Sequence, residues 1–203
     1  MLRQYQFKRN LIVMEKEKED ALTKLSGAGG FIKPEDVLDK LEIREGMKIA
    51  DFGCGAGYFT IPLAKRAGKG GIVYAIDVQS TALESVRGRA RLFSALNIET
   101  IRADLEKENS STLKENSLDM VVLGNILFQS SAKDAIIKEA KRVTNKKSGK
   151  IVIIEWKEDA MLGPQAGYRI SKNDLKKMAK DFRLVLEKEF NAGDSHYGLV
   201  FSL

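Results

Sequence analysis

The chain has one cysteine, Cys54, in 203 residues. One thiol closes no disulfide and founds no zinc cluster within a chain, so a disulfide scaffold is excluded, no metal site is expected, and a reducing compartment fits. Apolar runs are short, and none approaches the roughly 18 residues that a membrane-spanning helix needs. The opening stretch MLRQYQFKRNLIVMEKEKED sets basic residues before an apolar run, but LIVM is brief and charge follows it at once. That is not the pattern of an export signal. Internal repeats and low-complexity tracts are also missing. These absences lead us to expect a soluble, cytoplasmic protein.

Charge is plentiful but mixed. Lys and Arg number 34 against 28 Asp and Glu, a formal net charge of +6. Such an excess suits an anionic partner such as nucleic acid, yet the signs interleave, as in EKEKED and KEAKRVTNKKSGK. The tightest basic stripe, Lys172, Lys176 and Lys180, shares one helix face and is read as a solvated surface. With 43 % hydrophobic residues, the chain suffices for one substantial core. We therefore expect a single domain over 1–203, with 1–30 as an N-terminal arm or lid.

Short, β-branched, apolar segments recur at Met47 to Phe52, Gly71 to Asp77, Ile98 to Asp104, Leu118 to Asn125 and Gly149 to Trp156. They look like strands buried on both faces. Helical spacing lies between them, at Leu83, Val86, Ala90 and Phe93, and again at Ile136, Ala140 and Val143. The alternation predicts a parallel sheet with helices on both faces. After a helix over SKNDLKKMAKDF, capped at Ser171 or Asn173, the runs RLVLEKEF and HYGLVFSL are separated only by NAGDS. That link is too short for a crossover, so the last two strands should form an antiparallel hairpin. The predicted fold is α/β and doubly wound, a seven-stranded, mostly parallel sheet ending in a hairpin.

Three glycines, Gly53, Gly55 and Gly57, follow Asp51 in DFGCGAGYFT at the end of the first strand. Ligands of doubly wound sheets sit there, where missing side chains let backbone N–H groups approach and a helix beginning near Tyr58 offers its positive end. Asp77 closes the second strand 20 positions after Gly57, the place where a carboxylate accepts ribose hydroxyls. A dinucleotide fingerprint would need glycine where Tyr58 stands. Asp51 would repel a pyrophosphate but attract an ammonium or sulfonium. The ligand implied is a cationic nucleoside cofactor.

DFGCGAGYFTIPLA, AIDVQ, RADLE and LDMVVLGNILFQ, in that order and followed by GKIVIIEW, resemble the motifs of class I S-adenosylmethionine-dependent methyltransferases. The stretch GGFIKPEDVLDKLEIREGMKIADFGCGAGYFT is similar to the ubiquinone/menaquinone C-methyltransferase branch. The resemblance covers about residues 29–203 and implies a Rossmann-like methyltransferase fold with S-adenosylmethionine as cofactor. It implies that Asp51 serves the methionyl amino end and that Gly53, Cys54, Gly55 and Gly57 form the cofactor loop. It further implies Asp77 on the ribose, Val78 and Leu105 on the adenine, Asp104 on its amino group, and Asn125 beside the sulfur. Cys54 is read as buried packing within that loop, not as a nucleophile.

Methyl transfer from a sulfonium needs orientation and exclusion of water, and a base only if the acceptor loses a proton. His196 is the candidate base, with Asn125 as the other candidate catalytic residue. Phe128, Trp156, Tyr168 and Arg169 are candidate acceptor contacts, and Asp194, Ser195, His196 and Tyr197 are expected to overlook the pocket. GNILFQ lacks the prolines of amine and amide methylases, and Cys54 is misplaced for a cytosine nucleophile. A small-molecule acceptor is therefore favoured over an RNA or protein group. The competing readings are a nicotinamide-dependent oxidoreductase and a non-catalytic binding module of the same fold. Nothing in the sequence specifies an oligomeric state.

Overall fold

A computed structural model of the protein describes residues 32–203. The expected arm or lid over 1–30 lies outside the described residues. A short helix α1 (Pro34–Leu38), entered through proline at its first turn, precedes β1 (Lys48–Phe52). Then follow α2 (Thr60–Ala67), β2 (Ile72–Asp77), α3 (Ser80–Leu92), β3 (Ile98–Arg102), β4 (Met120–Gly124), α4 (Lys133–Val143), β5 (Lys150–Trp156), α5 (Lys172–Asp181), β6 (Val185–Asn191) and β7 (His196–Ser202). Single 3₁₀ turns at Leu127–Gln129 and Ala166–Tyr168 follow β4 and β5.

The strands form one sheet in the order β3-β2-β1-β4-β5-β7-β6. β1 pairs in parallel with β2 on one side and β4 on the other, so Asp51 lies opposite both Ala75 and Val122. β6 and β7 form the expected antiparallel hairpin, and β7 is the strand that joins β5. Alternation along the strands divides the core. Ala50, Phe52, Val121, Leu123, Ile151 and Ile153 meet Ile136 and Ala140 of α4 and Leu175 of α5 on one face. Ile49, Val73, Val122, Val152 and Ile154 meet Leu63 and Ala64 of α2 and Leu38 of α1 on the other. Among the described residues no helix is long and apolar enough to cross a membrane.

Several boundaries differ from the expected ones for local reasons. Asn125 adopts φ 55° and leaves β4 one residue early, and Arg183, also at φ 55°, delays β6 to Val185. The helix after the glycines starts at Thr60 rather than near Tyr58. Ser171 caps α5 by accepting the Asp174 N–H at 2.9 Å. The basic stripe is not simply solvated, because Lys172 and Lys176 both pair with Glu189 of β6.

Gly71 marks the tightest backbone approach below the sheet. A Cβ there would sit 2.5 Å from the Ala67 carbonyl and 2.6 Å from that of Met47, neither of which is a flexible side-chain end. Gly71→Ala should destabilise the fold by about 1–3 kcal/mol, read from urea midpoints. Gly167→Ala, where a Cβ meets nothing within 4 Å, is the control and should change little.

Candidate active site

The turn after β1 is built from glycines because the backbone there is left-handed: φ is 70° at Gly53, 50° at Gly55 and 83° at Gly57, a region that β-carbons disfavour. Gly53 and Cys54 both donate their N–H to the Ile76 carbonyl, at 2.8 and 2.9 Å, which folds the loop across β2. The three glycines face different neighbours. A Cβ on Gly53 would lie 2.6 Å from the Ile126 side chain and one on Gly57 would lie 3.0 Å from Val86, whereas Gly55 looks onto open space. From α3 the buried Arg89 donates to the Ala56 carbonyl at 2.8 Å and holds the loop from behind.

Asp77 ties this loop to the next one. One carboxylate oxygen accepts the Gly55 N–H and the other the Gln79 N–H, both at 2.9 Å. Each oxygen keeps acceptor capacity for a further donor. Beside it lies a cavity of about 430 Å³, whose walls include Gly53, Gly55, Asp77, Val78, Asp104 and Leu105. That volume suits a small ligand, since such pockets run from about 300 to 1,000 Å³. Val78, half exposed, and Leu105, buried, add apolar groups to the same walls as the two carboxylates. Asp104 accepts the Glu106 N–H at 3.1 Å and pairs with Lys107 at 3.3 Å. The same cavity is walled by Gln79, Ile126, Gln129 and Ser130, which the sequence reading missed. Ile126 and Ser130 carry no signal of their own, because only folding brings the turn after β4 over the glycines.

Asp51, Cys54, Gly57, Asn125 and His196 lie outside those walls. Asp51 is buried at the end of β1 and accepts a 2.6 Å hydrogen bond from the Thr60 hydroxyl. Burial pushes its carboxyl up to about 6; the Thr60 hydrogen bond opposes the rise and the Asp77 charge adds to it. Thr60 was overlooked in the sequence, although it opens α2 nine residues after Asp51. The Cys54 thiol is driven up by burial and then by the charges of Asp51 and Asp77, so it holds no thiolate at neutral pH.

Asn125 and His196 meet at the ends of β4 and β7, with the amide Nδ2 3.1 Å from the imidazole Nε2. Asn125 Oδ1 and His196 Nδ1 are buried without a hydrogen-bond partner. The ring lies on Trp156 at a centroid distance of 3.9 Å. Burial, and secondarily the Lys157 charge, pushes the imidazole down to about 4. The expectation that Asp194 to Tyr197 share one open rim is corrected here. Ser195, His196 and Tyr197 are buried, and because strand side chains alternate, the Tyr197 hydroxyl turns to the Ile170 carbonyl on the opposite face at 2.8 Å.

The segment after β5 is organised by Arg169, whose guanidinium donates to the carbonyls of Lys157, Glu158, Ala160, Leu162 and Pro164. It clasps the loop on itself through all three of its nitrogens. Gly163 rests on the Trp156 ring, where a Cβ would come within 2.4 Å. Tyr168 and Met161 are exposed on the same segment.

A family model described as a methyltransferase domain matches residues 43–191. The demethylmenaquinone methyltransferase of Geobacillus sp. (strain WCH70) is 26 % identical over 129 residues, 64 % of this chain and 53 % of that protein. A probable cobalt-precorrin-6B C(15)-methyltransferase (decarboxylating) of Saccharolobus solfataricus is 33 % identical over 116 residues, 57 % of this chain and 56 % of that one. The chain thus spans about half the length of these curated relatives. A SAM dependent methyltransferase from Aquifex aeolicus shares the fold with a TM-score of 0.78 at 24 % identity, over 90 % of this chain and 96 % of that structure.

The buried carboxyl of Asp51 makes a pH-dependent prediction. Its folded value, about 6, lies above the ordinary 3.8, so the stability it allows is complete below pH 3.8 and is lost as pH rises through 6. Asp51→Asn removes that loss. Between pH 4 and pH 7 the variant should gain on the parent by on the order of 3 kcal/mol, measured by urea unfolding. Parallel stability curves would show that burial does not govern this group.

Proposed function

The chain belongs to the methyltransferase-domain family, and on that premise we propose that it is an S-adenosylmethionine-dependent methyltransferase acting on a small-molecule acceptor. The observation that carries this reading is the meeting of Gly53, Gly55, Asp77, Val78, Asp104 and Leu105 around one cavity where the winding of the sheet reverses. The residues fit the cofactor chemically. Asp77 has free acceptor capacity for two ribose hydroxyls, Val78 and Leu105 offer apolar faces to an adenine, and Asp104 supplies an acceptor for its amino group. Gly55 opens toward the ligand, and Asp51 places a negative charge behind the loop for the ammonium of the methionyl end.

When bound, the cofactor supplies an electrophilic methyl on a sulfonium. The chain's own contribution is to orient, to exclude water and to manage a proton. Burial keeps Asp51 in a setting where its charge acts strongly on a cation. Its value of about 6 leaves it ionised at neutral pH and protonated below. With its value pushed down to about 4, His196 is neutral at pH 7 and has a nitrogen lone pair to take a proton. In the amide orientation where Asn125 accepts from Nε2–H, Nδ1 carries the lone pair; the opposite orientation puts the proton there. The two relatives, a demethylmenaquinone methyltransferase and a probable cobalt-precorrin-6B C(15)-methyltransferase, favour a small acceptor methylated at carbon. Such an acceptor must lose a proton, which gives His196 its role. We infer a cytoplasmic location from the single cysteine.

Isothermal calorimetry with S-adenosylmethionine tests the cofactor, and S-adenosylhomocysteine release with reduced quinones tests the acceptor. Asp77→Ala should weaken cofactor binding about 10- to 100-fold, the worth of charged hydrogen bonds, with the fold checked by circular dichroism. Undiminished binding would remove Asp77 from the site. His196→Ala should cost about 10²-fold or more in kcat with cofactor affinity retained, and equal turnover would dismiss it as the base. Stabilisation by NADH in place of S-adenosylmethionine would favour an oxidoreductase.

A further inference from the structure

Glu155 interrupts the apolar run of β5, KIVIIEW, and is completely buried. A carboxylate at such a position costs several kcal/mol unless hydrogen bonds compensate it. Here the compensation is backbone. Glu155 Oε1 accepts the N–H of Leu127 at 2.8 Å and of Phe128 at 3.2 Å. These are the first N–H groups of the 3₁₀ turn after β4, which have no partner within the turn itself. Oε2 is buried without a partner.

The turn so held is the wall shared by both halves of the site. Its first residue, Asn125, continues the β4–β5 ladder through its N–H on the Ile154 carbonyl at 2.9 Å and then turns left-handed. Its side chain meets His196. The next residue, Ile126, fills the space left by the missing side chain of Gly53 and walls the cavity together with Gln129 and Ser130. Gln129 in turn donates to the Asn125 carbonyl at 3.1 Å. A shift of this turn by an ångström would move Ile126 off Gly53 and Asn125 off His196 together.

We propose that Glu155 is a positioning residue for methyl transfer, whose carboxylate locks the 125–130 turn so that the cofactor wall and the Asn125–His196 pair stay aligned. The proposal rests on the methyltransferase reading above. It carries a signature in pH. Burial pushes the Glu155 carboxyl up to about 7, against the opposing influence of the Phe128, Leu127 and Trp156 N–H groups and of Lys133 on α4. Tyr197 of β7 is the register partner of Glu155 and stays protonated, its hydroxyl engaged with Ile170. Protonation at the unpartnered Oε2 weakens Oε1 as an acceptor for two N–H groups and loosens the turn. Asp51, on the other face, titrates separately, so the effect is isolated by substitution at 155 alone.

The test is Glu155→Gln beside the parent, with S-adenosylhomocysteine affinity by calorimetry, steady-state kinetics and pH profiles. We expect the parent's activity to rise near pH 7, and the variant to fold, to bind S-adenosylhomocysteine about three- to tenfold more weakly, to lose about tenfold or more in kcat and to lack that rise. A folded variant with parental affinity, kcat and pH profile overturns the proposal. Should the variant not fold, the parent alone decides by NMR. The Leu127 and Phe128 amide shifts must move with pH at the midpoint of the activity rise, and static shifts overturn the idea. Absence of any S-adenosylhomocysteine binding by the parent would instead count against the methyltransferase reading itself.

Discussion

A parallel sheet that winds outward in both directions from its first strand leaves the turns after β1 and β2 side by side at the rim, where Ile126 of the turn after β4 packs on Gly53. Fastening the first two turns to each other is the constraint on which the site depends, and the Asp77 carboxylate does it by accepting one N–H from each. The two turns are thereby held together by the chain's own hydrogen bonds, which lowers the ordering cost of binding a ligand between them. The left-handed glycines are the geometric counterpart. Gly53 makes room for Ile126, Gly57 lets α3 approach through Val86, and Gly55 leaves the ligand side open.

Two buried carboxyls, Asp51 and Glu155, stand on opposite faces of the sheet and weaken the fold in the same manner. Both are raised by burial, to about 6 and about 7, so both oppose stability as pH climbs toward neutrality. Hydrophobic residues at these positions would make a more stable protein. Their presence makes physical sense on the proposed reading, in which Asp51 supplies charge for a cationic ligand and Glu155 fastens the turn that walls the cavity. Stability is exchanged for preorganisation, a trade expected at functional sites.

Much of this was legible in the sequence because it rests on local pattern. Continuous apolar runs announced parallel strands, the five-residue link NAGDS forced the hairpin, and the spacing from Gly57 to Asp77 brought a carboxylate to the crevice. What was not legible depends on which strand lies beside which. That β7 intercalates between β5 and β6 cannot be read from link length, and it is this pairing that brings His196 to Asn125 and buries it. Likewise Ile126 looks like any other apolar residue until the turn after β4 folds over Gly53. Glu155 was open to detection, since a carboxylate in a strand apolar on both faces is an anomaly that calls for a reason.

The acceptor side follows a different physical logic from the cofactor side. Arg169, a natural candidate to grip an anionic acceptor, spends its donors on five carbonyls of its own loop. Lys157 is likewise engaged, donating to the carbonyls of Gly193 and Asp194. Both side chains are therefore fixed in place by backbone carbonyls, and the Lys157 charge acts on His196 from a held position. This segment presents the apolar Met161, Leu162 and Tyr168 beside the exposed carboxylates of Glu158 and Asp159, and its Gly163 packs on the Trp156 ring. Under the methyltransferase proposal, selection of an acceptor by the apolar part of this surface rests on contact area, where one methylene more or less is worth only about 1–3 kcal/mol. On the proposed reading the enzyme discriminates sharply at the cofactor, where charges and N–H groups are fixed, and loosely at the acceptor, where fit is apolar.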